Sequence, residues 1–263
     1  MKFLPATLLV LALGLGIGWT IRQSSGGRVT VHEARLAPTP NPKPEPHTTA
    51  PPYRYGEASA DGIGKFFHDR EIAHVMGHPA IGWLERENRE DEEAPTKAIN
   101  ALELAPDAVI ADIGAGSGYY SFRIAPKVPR GRVVAVDIQQ EMLDFLKQRS
   151  EELGISNVQP HLGTLKSLDV PEKSLDAALM VDSYHEFSDP AEMLESLFKS
   201  LKPGGRIFLI EYRAEDPAVP IKPLHKMTEA QARMELESAG FRFISNQRHL
   251  PWQHFMVFER PSP

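Results

Sequence analysis

The sequence predicts an α/β fold. Helices cover both faces of a mostly parallel seven-stranded sheet in a three-layer sandwich, with an antiparallel last strand and an N-terminal helical cap. Three observations lead there. From residue 108 onward, short runs rich in Val, Ile and Ala alternate with longer amphipathic stretches, the pattern of strand–helix–strand units with parallel strands. A glycine-rich turn over residues 114–118 follows the first of these runs. The last two runs are separated only by a turn near Pro251, which suits an antiparallel pair.

Taken in order, residues 3–21 (FLPATLLVLALGLGIGWTI) carry no charge and approach the about 20 apolar residues that span a bilayer. Residues 1–22 are therefore expected to be a membrane anchor or a secretory signal segment. Gly14 and Gly18 form a G-x-x-x-G pair, a weak signal in one short run. Arg22, Arg28 and Arg35 favour a cytoplasmic main domain by the positive-inside rule, and a signal-like start favours the opposite, periplasmic or secreted side. Residues 23–52 read as a linker, because the alternating prolines of APTPNPKPEPHTTAPP (37–52) favour extended polyproline II and build no core. Residues 53–105 are expected to form the helical cap and residues 106–263 the main domain.

In that domain, Ala108–Ile113 (AVIADI) is a buried strand and Ser117–Ala125 a helix. Arg132–Asp137 (RVVAVD) is the next strand, and Gln140–Leu153 is an amphipathic helix that Gly154 ends. Asn157–Leu162 is a weaker strand and Leu175–Val181 (LDAALMV) a buried one. Asp189, Pro190 and Glu192 supply an N-cap, a first-turn proline and an N3 acid for a helix that stops before Pro203-Gly204-Gly205. Arg206–Glu211 (RIFLIE) is the fifth strand. Thr228-Glu229-Ala230-Gln231 is a second capping box, opening a helix that Gly240 closes. Phe241–Ser245 and His254–Glu259 complete the sheet.

Composition narrows the chemistry. Lys and Arg total 29 against 35 Asp and Glu, a formal net charge of −6, so nothing draws the chain to nucleic acid in general. The absence of cysteine excludes disulfides, zinc–thiolate sites, iron–sulfur clusters and thiol nucleophiles.

The segment Asp112-Ile113-Gly114-Ala115-Gly116-Ser117-Gly118 lies between a strand and a helix, where glycines let the backbone turn tightly and approach a ligand. Asp137 ends the next strand, and a carboxylate there can accept hydrogen bonds from two ribose hydroxyls. The pair points to an adenosine-type ligand. Dinucleotide sites prefer G-x-G-x-x-G, whereas this loop is G-x-G-x-G with an acid two residues before it. S-adenosylmethionine has no phosphate but carries a sulfonium and an amino-acid tail, and Asp112 is placed to attract its ammonium group.

On Ala111–Tyr119, Val136-Asp137 and Leu201-Lys202-Pro203-Gly204-Gly205-Arg206, the chain resembles the class I S-adenosylmethionine-dependent methyltransferases over about residues 95–260. The nearest flavour is the small-molecule branch that includes ubiquinone- and menaquinone-type methyltransferases. The resemblance implies a Rossmann-like fold and S-adenosyl-L-methionine as cofactor. Carried across by position, Gly114, Gly116 and Gly118 would line its methionine, Asp137 would hold the ribose and Ile138 would flank the adenine. Where the family often has Gly-Asp after the third strand, this chain has Gly163-Thr164, so Thr164 offers a hydrogen bond without charge. Arsenite methyltransferases need cysteines, which excludes that chemistry here.

The catalytic face is expected after the fourth strand, in Val181-Asp182-Ser183-Tyr184-His185-Glu186-Phe187. Methyl transfer is an in-line displacement in which positioning does much of the work. If the acceptor must lose a proton, His185 has the natural pKa for a base. The competing reading is that His185 caps the next helix or bonds within the core. Tyr184, taken as a catalytic residue beside His185, and Glu186 are weaker candidates, and Asp182 is assigned to the cofactor pocket. Asp182, His185, Glu186 and His225 together have metal-binding chemistry, but their spacing fits no established pattern and no metal site is assigned. Two segments are expected to shape an apolar acceptor pocket: Tyr212–Pro217 leading to His225, and His74–His78 with Trp83–Arg86. Glu90-Asp91-Glu92-Glu93 reads as a solvated face. The expected function is methyl transfer to a small-molecule or lipid-like acceptor. The alternatives are a non-catalytic S-adenosylmethionine-binding module and an NAD(P)-dependent oxidoreductase.

Overall fold

The computed structural model describes residues 53–262 and, before them, the strands β1 (Ile17–Ile21) and β2 (Val31–Arg35), which pair antiparallel with Ile17 opposite Arg35. The rest of the expected anchor (1–22) and linker (23–52) lies outside the described residues. Where the anchor is described, Ile17–Ile21 is a strand and not helix, in keeping with its β-branched and aromatic residues. Among the described residues no helix is long and apolar enough to cross a membrane.

The first half of the expected helical cap is instead a three-stranded antiparallel sheet of β3 (Tyr53–Tyr55), β4 (Gly62–Phe67) and β5 (Arg70–Ala73), in that order. The cause is local. His68 and Asp69 both have positive φ, 45° and 66°, and form the two-residue hairpin turn whose twist matches paired strands. Short helices follow: α1 (Ile81–Leu84), α2 (Arg89–Glu93) and α3 (Pro95–Ala101).

The remaining chain runs β6 (Val109–Ile113), α4 (Tyr119–Ile124), β7 (Arg132–Asp137), α5 (Gln140–Leu153), β8 (Val158–Leu162), β9 (Leu175–Val181), α6 (Pro190–Ser200), β10 (Leu201–Tyr212), α7 (Glu229–Ser238), β11 (Arg242–Asn246) and β12 (Gln253–Glu259). These strands form one sheet in the order β11-β12-β10-β9-β6-β7-β8. Strands β6 to β10 pair in parallel, and β12 runs antiparallel to both β10 and β11. The sheet is thus the mostly parallel, seven-stranded one that the sequence predicts, with its last strand reversed.

Strand alternation builds two cores. Ile110, Val133, Leu179, Phe208 and Phe255 face α3, α4 and α5, while their neighbours Ala111, Val134, Met180, Leu209 and Met256 face α6 and α7. Burial on both faces explains why these strands read as continuous apolar runs. Thr228 caps α7 as predicted, its hydroxyl accepting from Gln231 N at 3.1 Å. Asp189 does not cap α6 through its side chain; it pairs with Lys65 of β4 at 2.7 Å and so ties the small sheet to the large one.

Candidate active site

The order of the sheet fixes where a site can form. From β6 the chain adds β7 and β8 on one side and then places β9 on the other. The carboxyl ends of β6 and β9 therefore part their loops and leave a crevice, the usual ligand position in an open α/β sheet. A cleft of about 580 Å³ lies there. Its floor is the glycine loop and the ends of β7, β8, β9 and β10, and its sides come from residues 74–76, the α1–α2 region and the loop carrying His225.

Gly114 has φ 73°, and a Cβ on it would lie 2.7 Å from Ser183 Cβ. A Cβ on Gly116, at φ 54°, would lie 2.7 Å from Leu84 Cδ1. Both lie on the wall of the cleft and keep the backbone bare there. Gly118 differs: its Cβ would strike Leu146 and Phe122, so it serves close packing of α4 against α5 and does not line the cleft. Asp137 is joined to the loop, with Gly116 N donating to Oδ2 at 3.0 Å and Gln139 N to Oδ1 at 2.9 Å. Burial raises the Asp137 carboxyl above its ordinary value, and these backbone amides oppose the rise. Its remaining lone pairs are available to a ligand's hydroxyls. Asp112 accepts from Ser121 Oγ at 2.6 Å, and its burial pushes it up to about 6.

At the rim beyond the end of β7, Ile138 is 38% exposed and Thr164 lines the cleft, its hydroxyl accepting from Ser167 N at 2.9 Å. Gly163 lies behind this rim, donating its N–H to the Asp137 carbonyl at 3.0 Å, and does not line the cleft.

The segment after β9 splits by direction. Asp182 sits at φ 47°, a strained position for a residue with a side chain. Gln253 Nε2 donates to its Oδ2 at 2.6 Å, while its Oδ1 is buried with no hydrogen-bond partner among the described residues. Burial, reinforced by Glu93 and Glu211, raises this carboxyl well above its usual range. Tyr184 turns away from the cleft. It is fully buried and its hydroxyl donates to Glu235 at 2.7 Å. That direction corrects the expectation of a catalytic role: a side chain pointing into the α7 side of the core cannot touch an acceptor.

His185 faces the cleft. Its Nδ1 lies 2.6 Å from Glu211 Oε2, and Glu211 Oε1 accepts from Tyr184 N at 3.0 Å and His185 N at 3.3 Å. Its Nε2 lies 3.1 Å from His225 Nδ1. Burial pulls the His185 imidazole down, but the Glu211 carboxylate outweighs it and holds the pKa above the ordinary value. Arg70 of β5 donates to the His185 carbonyl at 3.1 Å and pairs with Glu235 at 2.8 Å, so the carboxylate that receives Tyr184 also anchors the clamp on His185.

Several wall residues carry no sequence motif. Glu93, expected on a solvated face, is fully buried, bonded to Arg89 at 2.7 Å, to Arg86, and to the Tyr212 hydroxyl at 2.6 Å. The i,i+4 spacing of Arg89 and Glu93 is the trace that could have shown the pairing. Glu211 had a clearer trace, a carboxylate ending an otherwise apolar strand run.

Comparison with known proteins agrees with this architecture. Residues 110–205 match the family model described as a methyltransferase domain. The chain is 26% identical over 166 residues to an uncharacterized methyltransferase of Bacillus subtilis, covering 62% of this chain and 65% of that protein. It is 28% identical over 115 residues to a demethylmenaquinone methyltransferase of Deinococcus radiodurans, covering 44% of this chain and 47% of that one. The chain thus spans less than two-thirds of these relatives' length. In three dimensions it matches the crystal structure of a SAM-dependent methyltransferase from Aquifex aeolicus with a TM-score of 0.67 and 24% identity, over 70% of this chain and 99% of that one.

Proposed function

We infer that this class I S-adenosylmethionine-dependent methyltransferase domain moves a methyl group to a small, largely apolar acceptor that enters beside His185. The observation that carries the reading is the hydrogen bond from Gly116 N to Asp137 at 3.0 Å, which makes the bare glycine loop and the acidic strand end one cradle at the sheet's switch point. The residues present fit the cofactor. A Cβ at Gly114 or Gly116 would fill the cradle, and the partnerless buried Oδ1 of Asp182 suits a cationic neighbour. Gly114 and Gly116 would hold the methionine portion, Asp112 and Asp182 its ammonium, Asp137 the ribose, and Ile138 with Thr164 the adenine. Bound S-adenosylmethionine supplies a methyl group on a positively charged sulfur.

The chain's own contribution is position and a dry wall. His185 is the catalytic candidate that the geometry favours over Tyr184, because it alone of the two turns a polar atom to the cleft. Glu211 and Arg70 hold it from behind. Val75 (41% exposed), Trp83 (49%) and Leu165 (48%) present apolar surface around the cleft, which supports an acceptor with an apolar body. The apolar run at residues 3–21 supports a further reading in which the domain works at a membrane surface on lipid-like acceptors.

Calorimetric titration of the whole chain with S-adenosylmethionine, its demethylated product and NADH tests the assignment. Binding of the first two, lost in Asp137→Ala, is the expected result. Binding of neither sinks the methyltransferase reading, and binding of NADH alone would replace it with an oxidoreductase. His185→Ala separates an enzyme from a mere binding module: it should keep cofactor binding and lose turnover.

A further inference from the structure

We propose that His185, Glu186 and His225 form a binding site for a divalent transition-metal ion on the acceptor side of the cleft. Three potential ligand atoms meet there: His185 Nε2, His225 Nδ1 and Glu186 Oε1 all lie within 4.8 Å of one another. The two nitrogens are 3.1 Å apart, and the carboxylate oxygen is 3.8 Å and 3.7 Å from them. Ligands about 2.1 Å from one ion stand roughly 2.9–3.4 Å apart at angles between a right angle and the tetrahedral value. The nitrogens already meet that requirement, and the carboxylate meets it after a rotation of a few tenths of an ångström.

The surroundings are those of a metal site. The other ring nitrogen of His185 is bonded to the buried Glu211 carboxylate at 2.6 Å, the outer partner that fixes the tautomer and aims Nε2 outward. Glu186 is aimed as well, because its Oε2 accepts from Met76 N at 3.1 Å. Its Oε1 accepts no hydrogen bond among the described residues, although the side chain is only 14% exposed. All three residues line the cleft, so an ion on this face would keep open positions toward the acceptor. Two imidazoles and one carboxylate suit Zn, Fe(II), Co(II) or Mn(II) better than the oxygen-seeking Ca²⁺ or Mg²⁺. The ligands come from two stretches of chain: the turn after β9, which carries His185 and Glu186, and a loop 40 residues on, which carries His225.

This inference deepens the proposed function and rests on it for the acceptor's chemistry. An ion there would take an acceptor hydroxyl of phenol or enol type and lower its pKa. The hydroxyl gives its proton to water. Its oxygen then bonds to the methyl carbon while the carbon–sulfur bond breaks, and the electron pair stays on sulfur. Ion binding itself does not depend on the methyltransferase reading.

The full chain, stripped with a chelator, is titrated with Co(II) and Zn(II) and followed by visible absorption and calorimetry. One ion per chain is expected, with Co(II) giving ligand-field bands that Zn(II) abolishes. Affinity should fall about 10–100-fold in Glu211→Gln, as for outer-shell partners generally, and at least as much in Glu186→Gln and His225→Ala. His225 is half-buried on a loop, so His225→Ala that still binds S-adenosylmethionine is a folded control. Asp137→Ala should lose S-adenosylmethionine and keep the ion, so failure of one assignment is distinct from failure of the other. Absence of Co(II) bands in the intact chain, or an affinity unmoved by both Glu186→Gln and His225→Ala, overturns the site.

Discussion

Glu211 holds His185 with both carboxylate oxygens, one 2.6 Å from the ring nitrogen and the other accepting the residue's own backbone amide at 3.3 Å. Ring and backbone are thus fixed by a single side chain from the next strand. In Glu211→Gln an amide N–H would face Nδ1 and favour the opposite tautomer, with the proton on Nε2. Turnover should fall about 10–100-fold, while affinity for S-adenosylmethionine stays within about twofold. Steady-state kinetics beside calorimetry decide it; equal loss of both would make Glu211 a general stabiliser.

Tyr184→Phe removes a buried hydrogen bond to a carboxylate and nothing from the cleft. The expected cost is about 1.5–3 kcal/mol of stability in urea unfolding, with kcat nearly unchanged. A large drop in kcat in a variant of native stability would restore Tyr184 as a catalytic residue.

Gly114→Ala forces a side chain into φ 73° and brings its Cβ to 2.7 Å from Ser183. The strain is on the order of 1–3 kcal/mol, and the added methyl also narrows the cradle. Cofactor affinity should fall more than tenfold, measured by the same titration as for Asp137→Ala. Gly154→Ala, in open space at the end of α5, shares the backbone penalty but should leave cofactor affinity intact.

Asp112 gives a pH signature. Burial raises its folded pKa to about 6 from the ordinary 3.8 of an aspartate. A raised carboxyl favours the folded state while protonated, so its contribution is fully present below about pH 4 and is lost as pH rises to about 6. The span amounts to roughly 3 kcal/mol. Urea unfolding of the ligand-free chain should show Asp112→Asn lacking that loss between these pH values. A wild-type and variant difference that does not change with pH would rule out a titrating Asp112.

The glycine loop, Asp137 and the strands around them were legible because each is written in a contiguous stretch. Asp112 to Gly118 needs no partner elsewhere to be recognised, and fully buried strands announce themselves by unbroken apolar runs. The clamp on His185 was not legible, since its bonds join residues 26, 40 and 115 positions apart and no local pattern records them. The sheet β3–β5 was missed for another reason. His68-Asp69 turns the hairpin without the Asn-Gly or Asp-Gly pair that usually marks such a turn, and Gly62 and Gly64 dilute the strand signal. Sequence ranked His185 above Tyr184 by side-chain chemistry alone; only the turn after β9 shows that one enters the core and the other lines the cleft.

The stretch from His74 to His78 reaches both halves of the cleft. Met76 N donates to Glu186, the Met76 carbonyl accepts from Gln139, and His78 N donates to Gln139 in return. None of these capping residues, nor His225, falls within the segment 110–205 that matches the methyltransferase model. Transplanting that segment into a relative would therefore carry the glycine loop, Asp137, His185 and Glu186 with it and leave their partners Met76 and His225 to the recipient's own chain. Recombination between such chains would then exchange the side walls of the cleft around a floor that stays the same.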